Sequence, residues 1–128
     1  MEITANALQT VAAGSNVVFT NTAVKGSQCI LHREGSGLVT LRGITNQCRA
    51  RFKVTFGANI AIPEGGTAGA ISLALAISGE PVNTTSMIVT PAAVAEYFNV
   101  ASSIYLDVPK NCCLTIAVEN TSTQAIDV

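Results

Sequence analysis

From Arg51 to Phe56 the chain alternates without a break: Arg51, Lys53 and Thr55 are polar, while Phe52, Val54 and Phe56 are apolar. A period of two puts the two sets on opposite faces of an extended chain, so this stretch reads as a half-buried strand with a polar outer face. The same period recurs in Leu73, Leu75 and Ile77 against Ser72, Ala74, Ala76 and Ser78, and in Ile104, Leu106 and Val108 against Ser103, Tyr105 and Asp107. It returns in Cys112, Leu114, Ile116 and Val118. Shorter candidates are Val17–Phe19, Cys29–His32, Leu38–Arg42 and the opening of a last strand at Ala125–Val128, which stops abruptly.

Turn residues separate these runs at intervals of roughly eight to twelve positions. They include Glu34-Gly35-Ser36-Gly37, Pro63-Glu64-Gly65-Gly66, Gly79-Glu80-Pro81 and Pro109-Lys110-Asn111. With no crossover helices to cover a parallel sheet, the reading is all-β and antiparallel, with about ten short strands in a sandwich or jelly-roll. One segment competes for helix: Thr90 is a good N-cap, Pro91 suits the first helical position, and Ala92 to Glu96 are mostly helix formers. No repeat, low-complexity tract or linker divides residues 1–128, which read as one domain.

Apolar residues make up 48% of the 128 and charged residues 12%, about half the usual charged share. Mean hydropathy is +0.43. So little charge leaves much of the surface to Thr, Ser, Asn, Ala and Gly, which suits a chain whose surface is partly covered by other subunits. The net charge is −1 and the seven basic residues are scattered from Lys25 to Lys110, so no footprint for nucleic acid or an anionic membrane emerges. The apolar runs are too short to span a bilayer as helices. Met1-Glu2-Ile3-Thr4 lacks the basic and apolar regions of a secretory signal, so folding in a cytoplasm is expected. The four cysteines then read as thiols rather than staples, although Cys29 and Cys48 bracket a possible hairpin. Cys112 and Cys113, as neighbours on a strand, are expected to point to opposite faces.

Residues able to carry chemistry are few. His32 is the sole histidine, and a catalytic relay would need Asp107 or Asp127 to orient it. Gly35-Ser36-Gly37 reads as a turn rather than a nucleophile elbow, so the default for His32 is a hydrogen-bonded histidine at a strand end. Cys29-x-x-His32 with Cys112 or Cys113 is the only spacing that approaches a zinc site, yet the adjacent cysteines diverge. The eight carboxylates are dispersed, without a calcium loop or a close catalytic pair. Asn83-Thr84-Thr85 and Asn120-Thr121-Ser122 match glycosylation sequons. No cofactor is expected, and the reading is non-enzymatic.

From about Arg51 to Thr121 the pattern resembles the tumour-necrosis-factor and C1q-like jelly-roll family. Ala50-Arg-Phe-Lys-Val-Thr-Phe56 is similar to that family's strand C, Ile71–Val82 to its strand D and following turn, and Ser103–Val118 to its F–G hairpin. Ser78 stands where Asn is common, aromatic residues are fewer than in C1q domains, and the final strand is not clear. The whole chain also resembles small proteins encoded by phages and prophages of gut Firmicutes. His32-Arg-Glu-Gly-Ser-Gly37, Val89-Thr-Pro-Ala-Ala-Val94 and Asp107-Val-Pro-Lys-Asn-Cys-Cys113 carry that likeness.

What the resemblance implies is a homotrimer packed about a threefold axis and a place in a virion, made in the host cytoplasm, as capsid decoration or a fibre domain. It further implies that strands C and F are neighbours, which would bring Arg51, Lys53 and Thr55 beside Tyr105 and Asp107. Two readings of that face stand: a subunit interface, or a solvated strand face with one cross-strand ion pair. The alternative function is a receptor- or glycan-binding head, or the C-terminal trimerisation domain of a collagen-like surface protein. Absence of a Gly-x-y tract weakens the collagen version, and absence of Trp leaves a glycan site unmarked.

Overall fold

Twelve strands and one short 3-10 turn make up the computed structural model, which describes residues 1–128. In chain order the strands are β1 (Glu2–Thr4), β2 (Thr10–Val11), β3 (Asn21–Val24), β4 (Ile30–His32), β5 (Val39–Arg42), β6 (Arg49–Ile60) and β7 (Ile71–Ile77). They continue as β8 (Glu80–Pro81), β9 (Met87–Val89), β10 (Phe98–Pro109), β11 (Cys113–Asn120) and β12 (Ile126–Asp127), with the 3-10 turn at Asn83–Thr85. Every pairing is antiparallel. One layer runs β4-β5-β11-β7, with β8 and β9 both on the far side of β7. The other holds the β6–β10 ribbon, to which the β2–β12 pair is joined by the bridge Ala61–Asp127. β1 and β3 form a separate pair.

The strands are less uniform than their spacing implied. β6 and β10 are each 12 residues long and pair end to end, Arg49 opposite Pro109 and Ile60 opposite Phe98. Between the layers lies one cluster around Ile60, Ile62, Leu73, Val118 and Ile126, and a second around Leu41, Val108 and Ile116. The inward set Phe52, Val54 and Phe56 joins these clusters, while Arg51, Lys53 and Thr55 are exposed. Burial of Ile60 and Leu73, each fully inaccessible, is worth roughly 1.5–3 kcal/mol per side chain.

Several local expectations are corrected. β10 and β11 are joined by a tight turn, in which Cys112 N–H donates to the Pro109 carbonyl at 3.0 Å and Asn111 has φ 62°. They are not a hairpin: β10 pairs with β6, whereas β11 pairs with β5 and β7. The connection therefore passes from one layer to the other. After β7 the turn is Ser78-Gly79, both at positive φ (51° and 86°), which matches the twist of a two-residue hairpin and releases Glu80 and Pro81 into β8. Thr90–Glu96 forms bends and a turn, not helix; Ala95 sits at φ 59° and donates its N–H to the Ile62 carbonyl. Val17–Phe19 is not a strand: within it only Phe19 makes an isolated bridge, to Ser36. The small face of β7, open in the sequence between solvated and covered, is buried at Ala74 and Ala76, Ala76 lying between Ala117 of β11 and Pro81 of β8, and exposed at Ser78.

Candidate subunit interface

The β6–β10 register sorts the ribbon's side chains. Even-numbered residues of β6 face the core with their even-numbered partners, and odd-numbered ones face out with odd-numbered partners. The outward face is six rows long and every residue on it is exposed. Arg51 lies opposite Asp107, Lys53 opposite Tyr105 and Thr55 opposite Ser103, so the five residues expected on one face do share it.

The charged rows crowd one end. Arg51 holds Asp107 with a fork, Nε to Oδ1 at 2.9 Å and Nη2 to Oδ2 at 3.2 Å, while Arg49 Nη1 stands 3.5 Å from Oδ2. A planar guanidinium set two-to-two against a carboxylate fixes direction as well as distance. Lys53 Nζ sits 5.8 Å from the centre of the Tyr105 ring, within cation–π range. Tyr105 is 66% exposed, among the most exposed large apolar side chains of the chain. Three cations against one carboxylate leave this end with a local charge of +2. Beyond it the rows Thr55–Ser103, Gly57–Ala101 and Asn59–Asn99 are small and neutral, and Asn99 donates to the Asn59 side chain at 3.2 Å.

The hydrogen bond from Arg51 holds the Asp107 carboxyl below the usual carboxylate range; partial desolvation opposes this, and the charges of Arg49 and Arg51 add to it. The bond and charge of Asp107 raise the Arg51 guanidinium in turn. A carboxyl whose folded pKa is depressed stabilises above its unfolded value of about 3.9 and loses that contribution as pH falls through the lower folded value. Asp107→Asn is thus expected to unfold at lower urea than wild type near pH 7, with the gap narrowing as pH falls below the usual carboxylate range and closing once Asp107 is protonated in the folded state too. A gap that persists in acid would mean that packing, not charge, is lost.

The other residues with chemical potential are dispersed. His32 ends β4, its Nε2 2.9 Å from the Ser36 carbonyl and its ring edge-on to Phe19 at 6.2 Å, while Nδ1 is buried without a partner. Asp107 is engaged by arginines, and Asp127 accepts from the Thr10 hydroxyl at 2.7 Å, so neither carboxylate orients His32. All four cysteines are free thiols. They gather at one end of the sandwich, where the Cys29, Cys48 and Cys112 carbonyls accept from Arg42, Lys110 and Gly43. Cys112 lies in the turn rather than on a strand, and both it and Cys113 are exposed. No three Cys, His or carboxylate side chains converge as a metal site would require. The sequon at Asn120 is inaccessible, since Asn120 is fully buried.

Two features of the site escaped the sequence. The ribbon extends to Phe98 and Asn99, because Ala101, Ser102 and Ser103 offer no alternation and are drawn into register only by β6. Arg49 joins Arg51 on Asp107, a contact that spacing by two along one strand would have suggested. Neither a family model nor a curated protein matches the chain.

Proposed function

We propose that the chain is a jelly-roll that self-assembles into a trimer and serves as a non-enzymatic structural component of a phage particle, as capsid decoration or a fibre domain. The pairing order supports the jelly-roll reading. With β2, β5, β6, β7, β9, β10, β11 and β12 taken as strands A to H, one layer reads B-G-D-E and the other A-H-C-F. The phage assignment rests on the sequence resemblance alone.

The outward face of the β6–β10 ribbon is the observation that carries the assembly. Its neutral rows of Thr, Gly, Asn, Ala and Ser let a second backbone approach closely. Tyr105 is a rigid aromatic anchor of the kind that dominates binding energy, and the charged rows at the rim set register. The accessible surface, 7186 Å², also exceeds the about 6,400 Å² expected of a compact 13.2 kDa monomer. Surface in that excess is surface a partner can cover.

Light scattering on a sizing column, with and without reductant, tests the reading. Three chains of 13.2 kDa should elute together in both conditions, near 40 kDa. Tyr105→Ala combined with Lys53→Glu should shift the mass to one chain while leaving the unfolding transition cooperative. A monomeric wild-type protein would overturn the interface. The exposed Tyr105 beside Lys53 would then favour a glycan-binding head, which a glycan array reads directly.

A further inference from the structure

One edge of β6 offers its backbone to nothing. At the end of this strand Ala61 both donates to and accepts from Asp127, at 3.0 and 2.9 Å, on the side away from β10. At the other end the Cys48 carbonyl accepts from Lys110, the residue that follows β10. An extended chain aims its N–H and C=O to the same side at every second residue, and β6 follows β10 through all twelve positions without a shift in register. The even-numbered residues therefore bond β10. Arg49, Arg51, Lys53, Thr55, Gly57 and Asn59 point their amides and carbonyls to the free side. Beyond the single bridge at Ala61, no second strand runs along β6, and none of these six residues makes a backbone hydrogen bond there.

Beside this edge opens a groove of about 740 Å³, mostly apolar. Phe52–Asn59 form one flank, core residues such as Val39, Ile116 and Val118 line it, and the segment Met1–Leu8 closes another side. An unpaired edge along an apolar groove is a template for strand addition, in which backbone bonds supply affinity and alternate side chains supply choice. A lipid tail would fill the groove but leave six amides and six carbonyls unpaired. A second copy of β6 would bring Arg49, Arg51 and Lys53 with it, cations rather than the carboxylates that the local excess of positive charge calls for.

We propose that the β6 edge receives a single extended strand from a partner protein, laid antiparallel to β6 in the sense that β12 already takes against Ala61. Residues opposite Phe52, Val54, Phe56 and Ala58 would enter the groove, so the partner carries apolar β-branched side chains there. Residues opposite Lys53 and Arg51 would lie on the outward face beside the local excess of positive charge, so the partner carries carboxylates at those positions. This reading uses the backbone edge of β6 rather than its outward side chains, and it stands whether or not the chain is a trimer.

The probe is an octapeptide in which valine alternates with, in order, threonine, threonine, glutamate and glutamate, so that its eight residues pair with Ala58 back to Arg51. Titration calorimetry with the full chain should detect binding. Amide exchange at Arg51, Lys53, Thr55 and Gly57 should slow by at least about tenfold, while the amides already bonded to β10 stay unchanged. N-methylation of the peptide's fourth and sixth residues, whose amides face β6, should weaken binding by roughly tenfold or more. The same modification at its third and fifth residues, whose amides face away, should not. No binding at about 1 mM peptide would overturn the proposal. Equal affinity of the two methylated peptides would also overturn it and mark the groove as a site for apolar ligands.

Discussion

Asn120→Ala is expected to cost about 3 kcal/mol of folding stability, a large share of the roughly 5–15 kcal/mol that holds a domain of this size together. Asn120 ends β11 opposite Leu73, and its side chain is fully buried. Its Nδ2 donates to the Val11 carbonyl of β2 and to the Gln124 carbonyl, both at 2.9 Å, while Oδ1 accepts from the Ser122 N–H at 2.9 Å. Its own backbone exchanges bonds with Gly14 and Ser15, each at 2.9 Å. One amide thus satisfies three backbone groups and ties β11 to β2 and to the turn before β12. Truncation strands those groups away from water and leaves a cavity as well.

Asn120→Asp sharpens the test. A carboxylate would face two carbonyl oxygens in place of two N–H donors, so burial and repulsion should raise its folded pKa above the unfolded value. Its penalty relative to wild type should therefore be least below about pH 4 and grow as pH rises. Urea unfolding followed by circular dichroism measures both variants. A loss under about 1 kcal/mol for the alanine variant would mean that water replaces the amide.

The residues that were legible are those whose neighbours along the chain decide their environment. Phe52, Val54 and Phe56 are separated from Arg51, Lys53 and Thr55 by the pleat alone, and the structure keeps that separation. Of the turn after β7 only Gly79 was legible: Ser78 shares its positive φ, while Glu80 and Pro81, read as turn, pair with Ile77 and Ala76. Residues whose environment is set across the fold were not legible. Asn120 opens a glycosylation sequon, a pattern that belongs to exposed loops, yet its partners Val11 and Ser15 come from the opposite end of the chain. Ala74 and Ala76 look alike whether solvated or buried, and only their strand neighbours settle the matter. The tight turn between β10 and β11 was legible, but the hairpin that the resemblance implied was not formed, because the two strands pair in different layers. Thr90–Glu96 has the propensity for a helix turn, but Ala95 is claimed by the Ile62 carbonyl. At the candidate interface the strand face was readable, and the partner across it came only from the resemblance.

Gly43→Ala is expected to be at least as damaging as Asn120→Ala, with a loss of about 3 kcal/mol or more, although Gly43 has no positive φ to advertise it. A Cβ there would fall on the Pro109 carbonyl oxygen, with the Pro109 carbonyl carbon at 2.9 Å and the Val108 oxygen at 3.3 Å. All three atoms are backbone, so no side chain can swing aside. Gly43 is held in place by its own N–H to the Cys112 carbonyl at 2.8 Å and by the Asn111 N–H to its carbonyl at 3.1 Å. These bonds dock the loop after β5 onto the turn between β10 and β11, the point where the chain crosses from one layer to the other. A methyl group must push that loop away and break both bonds, which detaches β5 from the end of the ribbon. The variant should therefore unfold at markedly lower urea, and amide exchange at Gly43 and Asn111 should rise more than at the core strands. Wild-type stability in Gly43→Ala would mean that the loop is not seated on Pro109 in solution, and the clustering of the four thiols at that end would fall with it.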